Sequence, residues 1–476
     1  MVENNRPLAP EISIPQSFED YRVAQRERQL EDLKRLLSFS SVSADATQAD
    51  EISSCAAWVH DHLVRIGLEG VRMFETAGNP IVYGEWLNAG TDAPTVLVYA
   101  HYDVQPAGSP TLWNAPPFAP EIRDEAIYAR GASDMKGPLF ATLCGLEALI
   151  AVGDGLPCNV KIVIEGEEEL RADELDRFVA ENPGLLAADV MVNADGSFIA
   201  PGVPSTAVGL RGMVALELTV RTGEVDLHSG MFGGVAPNAL IVMAQLLAGL
   251  RSPEGRILVD GFYDEVVGAT PAELAEWAEL PIDAEAVREQ AGTVGLLDGT
   301  GSTVLERQWV EPTLDVVGMW GGFQDEGLKT VIPCTAHAKI SCRLVPDQEM
   351  EAMLERLATH LRRHCPATAE LTIDWTLLGT PPATMSPDHP AVAAAREALT
   401  EAFDTEAFVT RLGVSVPVSE IVSRLLGMPT VMLGYSSPTD LVHAPDEHLP
   451  LSSFDGGVKA FASFLLRFAA TARGES

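Results

Sequence analysis

Residues 95–103 have the sequence TVLVYAHYD, an apolar run that ends in His101 and Asp103. A short run rich in β-branched and aromatic residues is typical of a strand that is buried on both faces. Similar runs follow at residues 160–164, 190–192 and 430–433, and helical stretches separate them. Because such alternation is typical of a mostly parallel sheet covered by helices, the sequence predicts an α/β fold.

The regions around these runs suggest more than one domain. Residues 16–37 and 51–66 carry apolar positions at helical spacing and predict two opening helices. Between residues 209 and 385 the pattern changes to alternating strand-like stretches and helices, which predicts an α+β insert. From residue 386 the alternation of helical stretches and apolar strand-like runs returns. We therefore expect a sheet domain made of residues 1–208 and 386–476, interrupted by a second domain at 209–385.

The composition limits the classes of partner. Of the 476 residues, 46% are hydrophobic, which is enough for a sizeable core. Lys and Arg total 32 against 68 Asp and Glu, so the formal net charge is −36. Such a charge repels phosphate backbones and anionic lipids, and we expect neither a nucleic-acid nor a membrane partner. The chain shows no signal-like start and no apolar run near the ~18 residues of a membrane span, which predicts a cytoplasmic protein.

Residue types that bind metals follow the predicted strands. They are His101, the glutamates at 165 and 167–169, Asp195 and His443, with Asp134 in a loop just before a helix. Ligands of parallel sheets bind beyond the carboxyl ends of the strands, so these side chains are expected at one edge. Two histidines with several carboxylates suit two divalent cations with mixed nitrogen and oxygen coordination. Any one of these residues alone is more simply a solvated or capping side chain.

A series of short motifs runs over nearly the whole chain. They are AHYDVQP at 100–106, ARGASDMKG at 129–137, the paired glutamates, DG at 195–196, DLHSG at 226–230, KTVIP at 329–333, RLVP at 343–346 and HAP at 443–445. With these motifs the sequence resembles the M20 metallopeptidase family of dipeptidases, carnosine-type dipeptidases, aminoacylases and succinyl-diaminopimelate desuccinylases, and is most similar to the dipeptidases. The resemblance implies a di-metal hydrolase domain interrupted by a lid and dimerisation domain.

The resemblance also assigns the metal ligands. It implies that Asp134 bridges two metals, that His101 and Asp195 complete one site, and that Glu169 and His443 complete the other. Zinc is the expected metal, with manganese or cobalt as alternatives. Asp103 is expected to accept the second N–H of the His101 imidazole and so to fix its tautomer. A cis peptide is expected after Asp134.

Three consecutive glutamates leave the general base ambiguous from spacing alone. Alignment with the family makes Glu168 the base that activates a metal-bridging hydroxide, and it leaves Glu167 as a solvated bystander. The resemblance further implies that His228, in the insert, stabilises the oxyanion in the active site of a partner subunit, which requires a homodimer formed through the insert. Arg343 resembles the family's clamp for a substrate carboxylate. Asn238 and Ser415 are expected to contact the termini of the substrate.

The expected activity is hydrolysis of the amide bond of dipeptides or small peptides with a free C-terminal carboxylate. The chain departs from many relatives at Leu170-Arg171-Ala172 and at Leu412-Gly413-Val414-Ser415, so the specificity of those relatives does not transfer directly to this chain. A deacylase acting on N-acyl or N-carbamoyl amino acids is the alternative. A non-catalytic relative and a two-metal phosphoesterase are disfavoured by the complete ligand set and by the missing basic anchors.

Overall fold

The structure is a computed structural model and describes residues 12–153, 155–170, 173–297, 301–375 and 379–472. The chain divides into two compact units. The first unit contains the residues up to Val208, Met385–Thr410 and the residues from Pro417 onward. The second contains Gly209–Thr384 and Arg411–Val416. In the described ranges no helix is both long and apolar enough to cross a membrane.

The regular elements are named in chain order. The strands are β1 Glu69–Phe74, β2 Ile81–Trp86, β3 Thr95–His101, β4 Glu121–Arg123, β5 Ala126–Tyr128, β6 Asn159–Glu165, β7 Val190–Asn193, β8 Ser205–Leu210, β9 Gly212–Arg221, β10 Leu227–His228, β11 Thr313–Gly321, β12 Val331–Ile332, β13 Thr335–Leu344, β14 Glu370–Asp374, β15 Ala383–Thr384, β16 Phe408–Leu412, β17 Thr430–Met432 and β18 His448–Pro450. The helices are α1 Gln16–Leu37, α2 Ala49–Arg65, α3 Lys136–Val152, α4 Asp173–Glu181, α5 Pro183–Leu186, α6 Ser229–Phe232, α7 Ala239–Ala248, α8 Pro271–Trp277, α9 Ala284–Ala291, α10 Val304–Trp309, α11 Met350–His364, α12 Pro390–Phe403, α13 Pro417–Leu426 and α14 Leu451–Ala472.

The first unit is built on a six-stranded sheet with the order β1-β2-β6-β3-β7-β17. Strands β6, β3, β7 and β17 run parallel, whereas β1 and β2 are antiparallel at one edge. Every residue of β6 and β7 is buried. Parallel strands covered on both faces need apolar side chains on both, which is why most residues of β6 and β7 are apolar. The predicted α/β fold with a mostly parallel sheet is confirmed.

Helices α1, α3, α12 and α14 form the main core against this sheet. Helix α3 packs against α1 and α14, and α14 packs against α12. The side chains of Phe140, Leu143, Phe461 and Phe464 are fully buried there. Burying a side chain of this size stabilises the fold by about 1.5–3 kcal/mol, so this layer fixes the position of the α3 N-terminus and of the loop before it.

The second unit has its own core. Its four-stranded antiparallel sheet has the order β11-β13-β9-β14. In β9, Val214, Leu216, Leu218 and Val220 are buried and alternate with less buried residues. They share a core with residues of α7 and α11. One face of the sheet therefore faces the core of this unit, as the period of two in its sequence indicates.

A close backbone contact joins the carboxyl ends of β7 and β17. The Leu433 N–H donates to the Asn193 carbonyl at 2.8 Å, and the backbone at Gly434 then passes directly against Gly196. A Cβ atom on Gly434 would lie 2.0 Å from the carbonyl carbon of Gly196. Since that distance is far below van der Waals contact, glycine is required at position 434 for the two strand ends to approach.

We expect Gly434→Ala to destabilise the first unit by about 1–3 kcal/mol or more, since an added methyl group forces backbone apart in a packed region. Gly184→Ala is the matched control, because a Cβ at Gly184 meets no atom within 4 Å. The measurement is the urea unfolding midpoint of each variant. Equal midpoints for both variants would show that the contact does not constrain the strand ends.

Candidate metal centre

The predicted metal-binding residues stand beyond the ends of neighbouring parallel strands. His101 is the last residue of β3, and Glu168 and Glu169 lie just after β6. Asp195 lies just after β7, and His443 lies in the loop between β17 and β18. Because β6, β3, β7 and β17 are adjacent in the sheet, their carboxyl ends bring these five side chains to one edge.

Asp134 lies between the two histidines. Its Oδ1 is 3.2 Å from His101 Nε2 and its Oδ2 is 2.8 Å from His443 Nε2. Asp195 Oδ2 is 3.7 Å from His101 Nε2, and Glu169 Oε2 is 3.3 Å from His443 Nε2. The peptide between Asp134 and Met135 is cis. The arrangement therefore has a single carboxylate shared by two imidazoles, each with a further carboxylate beside it.

The donor atoms form two groups, each compact enough to surround one cation. One group is His101, Glu168 and Asp195, the other is Asp134, Glu169 and His443, and within each group the donor atoms lie within 4.8 Å of one another. One buried atom in these groups, Glu169 Oε1, has no hydrogen-bond partner in the described part of the chain. Buried polar atoms are normally paired or bound to a metal, so these residues fit two divalent cations.

The pKa values show how strongly the carboxylates act on one another. Burial, with the charges of Glu169 and Asp134 adding to it, raises the pKa of Glu168 to about 7 against the opposing effect of His101. Burial and the charge of Asp134 raise the pKa of Asp195 well above its usual range. Hydrogen bonds to Asp134 and Glu169 raise the pKa of His443 to about 10. The cluster therefore favours any positive charge that enters it.

The neighbouring carboxylates also shift the pKa of His101. Burial alone would lower the pKa of His101, but the hydrogen bonds to Asp103 and Asp134 and the charge of Asp195 outweigh burial and raise it well above its usual value. A bound cation would replace the proton at His101 Nε2 and would neutralise the same carboxylates.

Asp103 is fully buried and has two sets of partners. Its Oδ1 is 3.4 Å from His101 Nδ1, and its backbone carbonyl lies 3.1 Å from the same nitrogen. Its carboxylate also accepts the backbone N–H groups of Glu168 at 3.3 Å and of Glu169 at 3.2 Å. One aspartate thus orients an imidazole and anchors the turn that carries two of the acidic residues.

The loop that carries Asp134 is held by a residue that the sequence analysis missed. Glu447 is fully buried, and its Oε2 accepts the Arg130 guanidinium at 2.5 Å and the Gly131 N–H at 3.1 Å. Its Oε1 accepts the N–H groups of Ser133 at 2.9 Å and of Asp134 at 3.0 Å. Glu447 lies four residues after His443 but more than 300 after Asp134, and no spacing in the sequence connects it to that loop.

Four predicted site residues belong to the second unit. His228 is exposed at the end of β10, and its Nδ1 accepts the Gly230 N–H at 3.1 Å. Asn238 Oδ1 caps α7 by accepting the Leu240 N–H at 3.0 Å. The structure therefore gives Asn238 a capping role that leaves only its NH2 group for other contacts.

Arg343 and Ser415 are neighbours in the second unit. Arg343 Nη1 donates to Ser415 Oγ at 2.9 Å, and Ser415 Oγ donates to the Arg211 carbonyl at 2.7 Å. Among the described residues Arg343 forms no ion pair with a carboxylate. Of the departures from the family pattern, Leu170 and Val414 have exposed side chains, and Arg171 and Ala172 lie outside the described residues.

Comparison with known proteins gives a consistent family. The model of peptidase family M20/M25/M40 matches residues 97–467. A Beta-Ala-His dipeptidase of Homo sapiens is 30% identical over 82% of this chain and 78% of its own. A cysteinylglycine-S-conjugate dipeptidase of Corynebacterium striatum is 29% identical over 93% of this chain and 96% of its own.

Solved structures share the fold. An M20 family metallo-carboxypeptidase of Sulfolobus solfataricus has a TM-score of 0.79 at 30% identity, and covers 93% of this chain and 99% of its own. Human carnosine dipeptidase 1 has a TM-score of 0.77 at 28% identity, and covers 95% of this chain and 98% of its own.

We expect the purified protein to bind about two divalent cations per chain and Asp134→Asn to lose most of both, because the shared carboxylate contacts both histidines. Asp61→Asn, at a side chain that is 84% exposed, is the matched control. The measurement is metal content by atomic emission after dialysis against zinc. Metal content in Asp134→Asn equal to that of the control would contradict a shared ligand.

Proposed function

The chain belongs to peptidase family M20/M25/M40, and from this premise we propose that it hydrolyses the peptide bond of dipeptides or small peptides that carry a free C-terminal carboxylate. The observation that carries the proposal is the convergence of two imidazoles and four carboxylates at the carboxyl ends of adjacent strands. The dipeptidase names of the relatives support the choice of substrate class.

The chain's own residues would hold two cations. His101 and Asp195 would bind one and Glu169 and His443 the other, with Asp134 between them. Zinc is the proposed metal because imidazole and carboxylate are common zinc ligands, and manganese or cobalt suit the same oxygen-rich set. When bound, such ions polarise the scissile carbonyl and lower the pKa of the attacking water.

Glu168 is the proposed general base. Its carboxylate belongs to the same group of donor atoms as His101 and Asp195, so it lies within reach of a water at this edge of the sheet. It would accept a proton from the attacking water and later donate that proton to the nitrogen of the leaving amine. Asp103 fixes the backbone of Glu168 and therefore the direction of this carboxylate.

Arg343 is the proposed anchor for the substrate carboxylate. A guanidinium that pairs with no carboxylate of the described residues retains donors for a bidentate contact. Ser415 holds one side of that guanidinium and limits its rotation. A free C-terminal carboxylate is the ligand that this chemistry recognises.

We also propose that the protein is a homodimer formed through the second unit. β11 is an edge strand of its sheet, and Val316, Val317, Met319 and Trp320 on it are exposed. An edge strand with exposed apolar residues favours antiparallel pairing with the same strand of a second copy. In such a dimer each copy would supply its exposed His228 to the other for oxyanion stabilisation. The cytoplasmic location stays a prediction.

We expect Glu168→Gln to reduce dipeptide hydrolysis by roughly 100- to 10,000-fold while metal content stays unchanged, because the variant keeps the shape of the side chain but cannot take the proton. The assay is release of free amino acids from a panel of unblocked dipeptides, with N-acetyl and N-carbamoyl amino acids alongside. Glu167→Gln is the control, since glutamine keeps the Oε1 acceptor that binds the Asn79 N–H at 3.1 Å.

Two results would overturn this assignment. Turnover of the blocked amino acids with none of the dipeptides would make the protein a deacylase, since a dipeptidase must accept a free α-amine. Full activity in Glu168→Gln would show that Glu168 does not transfer the proton.

We expect the protein to be a dimer at micromolar concentration and Val317→Glu to convert it to a monomer, because the change buries a charge in the paired edge. Val317 is 64% exposed, and Val267→Glu, at a side chain of the same unit that is 58% exposed, is the control. The measurement is mass by light scattering during gel filtration. A monomeric wild-type protein with full activity would rule out the dimer and the role of His228 together.

A further inference from the structure

The end of β3 and the segment after it carry three polar side chains two residues apart. His101, Asp103 and Gln105 alternate with Tyr102 and Val104. In extended chain, residues at this spacing lie on the same side. His101 and Asp103 have proposed roles at the metal centre, whereas Gln105 has none.

Gln105 contacts a proposed ligand of the other cation. Its Nε2 donates to Glu169 Oε2 at 2.8 Å and lies 3.4 Å from the Glu169 carbonyl. The Glu169 side chain is only 4% exposed, so few other donors reach it. With the bond from its own N–H to Asp103, Glu169 is held at its backbone N–H, its carbonyl and its carboxylate by two residues of one segment.

The two oxygens of Glu169 have different surroundings. Oε2 accepts the Gln105 amide and faces His443, while Oε1 is buried and has no hydrogen-bond partner in the described ranges. An amide donor fixes the rotation of the carboxylate without cancelling its charge. Lysine or arginine at position 105 would instead compete with a cation for that charge.

We propose that Gln105 is a positioning residue that orients Glu169 for the cation shared by Glu169 and His443. The inference rests on the two-metal site of the proposed function. Hydrogen bonds to a metal-binding carboxylate restrict it to the binding rotamer, and losing such a partner typically weakens metal affinity by about 10- to 100-fold. The hydrogen bonds that the Gln105 side chain forms within the described residues both go to Glu169, so we expect its effect to be confined to one of the two cations.

The test is calorimetric titration of metal-free protein with zinc in the presence of a competing chelator. Gln105→Met keeps the length of the side chain but cannot donate. We expect two binding events in the wild-type protein, and in Gln105→Met one unchanged event and one weakened by about 10- to 100-fold. Gln16→Leu is the matched control, because Gln16 Nε2 makes the same type of bond to Asp20 Oδ1 at 3.0 Å on the exposed surface of α1.

The unfolding midpoint of the metal-free proteins separates positioning from simple packing. A positioning role predicts a metal-free midpoint close to that of the wild type together with the loss of affinity at one site. Two unchanged binding constants, or equal weakening of both events, would overturn the role of Gln105 while leaving the two-metal site intact. Fewer than two events in the wild-type protein would instead refute the proposed site and the inference with it.

Discussion

Mutual repulsion of closely spaced, partly buried carboxylates is the constraint on which this structure depends. Asp134, Glu168, Glu169 and Asp195 crowd around two imidazoles, with donor atoms within 4.8 Å in each group. Two like charges 4 Å apart repel by about 4 kcal/mol at an effective dielectric constant near 20. Two protonated imidazoles would supply a charge of +2 against −4, whereas two divalent cations supply +4 and leave both imidazoles neutral as ligands. Two bound cations would therefore neutralise this repulsion. Without them, the protein only reduces it by shifting the pKa values of the carboxylates and the imidazoles.

The fold creates this crowding and then holds it. Parallel strands β6, β3, β7 and β17 place their carboxyl ends side by side, and the contact of Gly434 with Gly196 keeps two of those ends close. Asp103 fixes the turn after β6 through two backbone N–H groups. Glu447 fixes the loop before α3 through three N–H groups and Arg130. Both anchors are held by donors of the protein, namely backbone N–H groups, the Arg130 guanidinium and the His101 imidazole.

The parts of the site at strand ends were predictable from the sequence. The runs before His101, Glu169 and Asp195 are apolar because those strands are buried on both faces, and a parallel sheet gathers the residues that follow them. Glu447 was not predictable, because its partners are brought to it by tertiary packing. Asn238 shows a different limit, since the helix-cap bond of its side chain is visible only in the structure. Antiparallel β1 and β2 were also missed, because an edge of mixed burial carries no clear alternation.

Anomalous X-ray scattering at the zinc edge, from crystals of the zinc-loaded protein, would locate the two proposed cations directly. Two peaks about 3.5–4 Å apart, on either side of the Asp134 carboxylate and adjacent to His101 and His443, are the predicted result. No peak at this edge of the sheet, or a single peak that does not contact Asp134, would contradict the account.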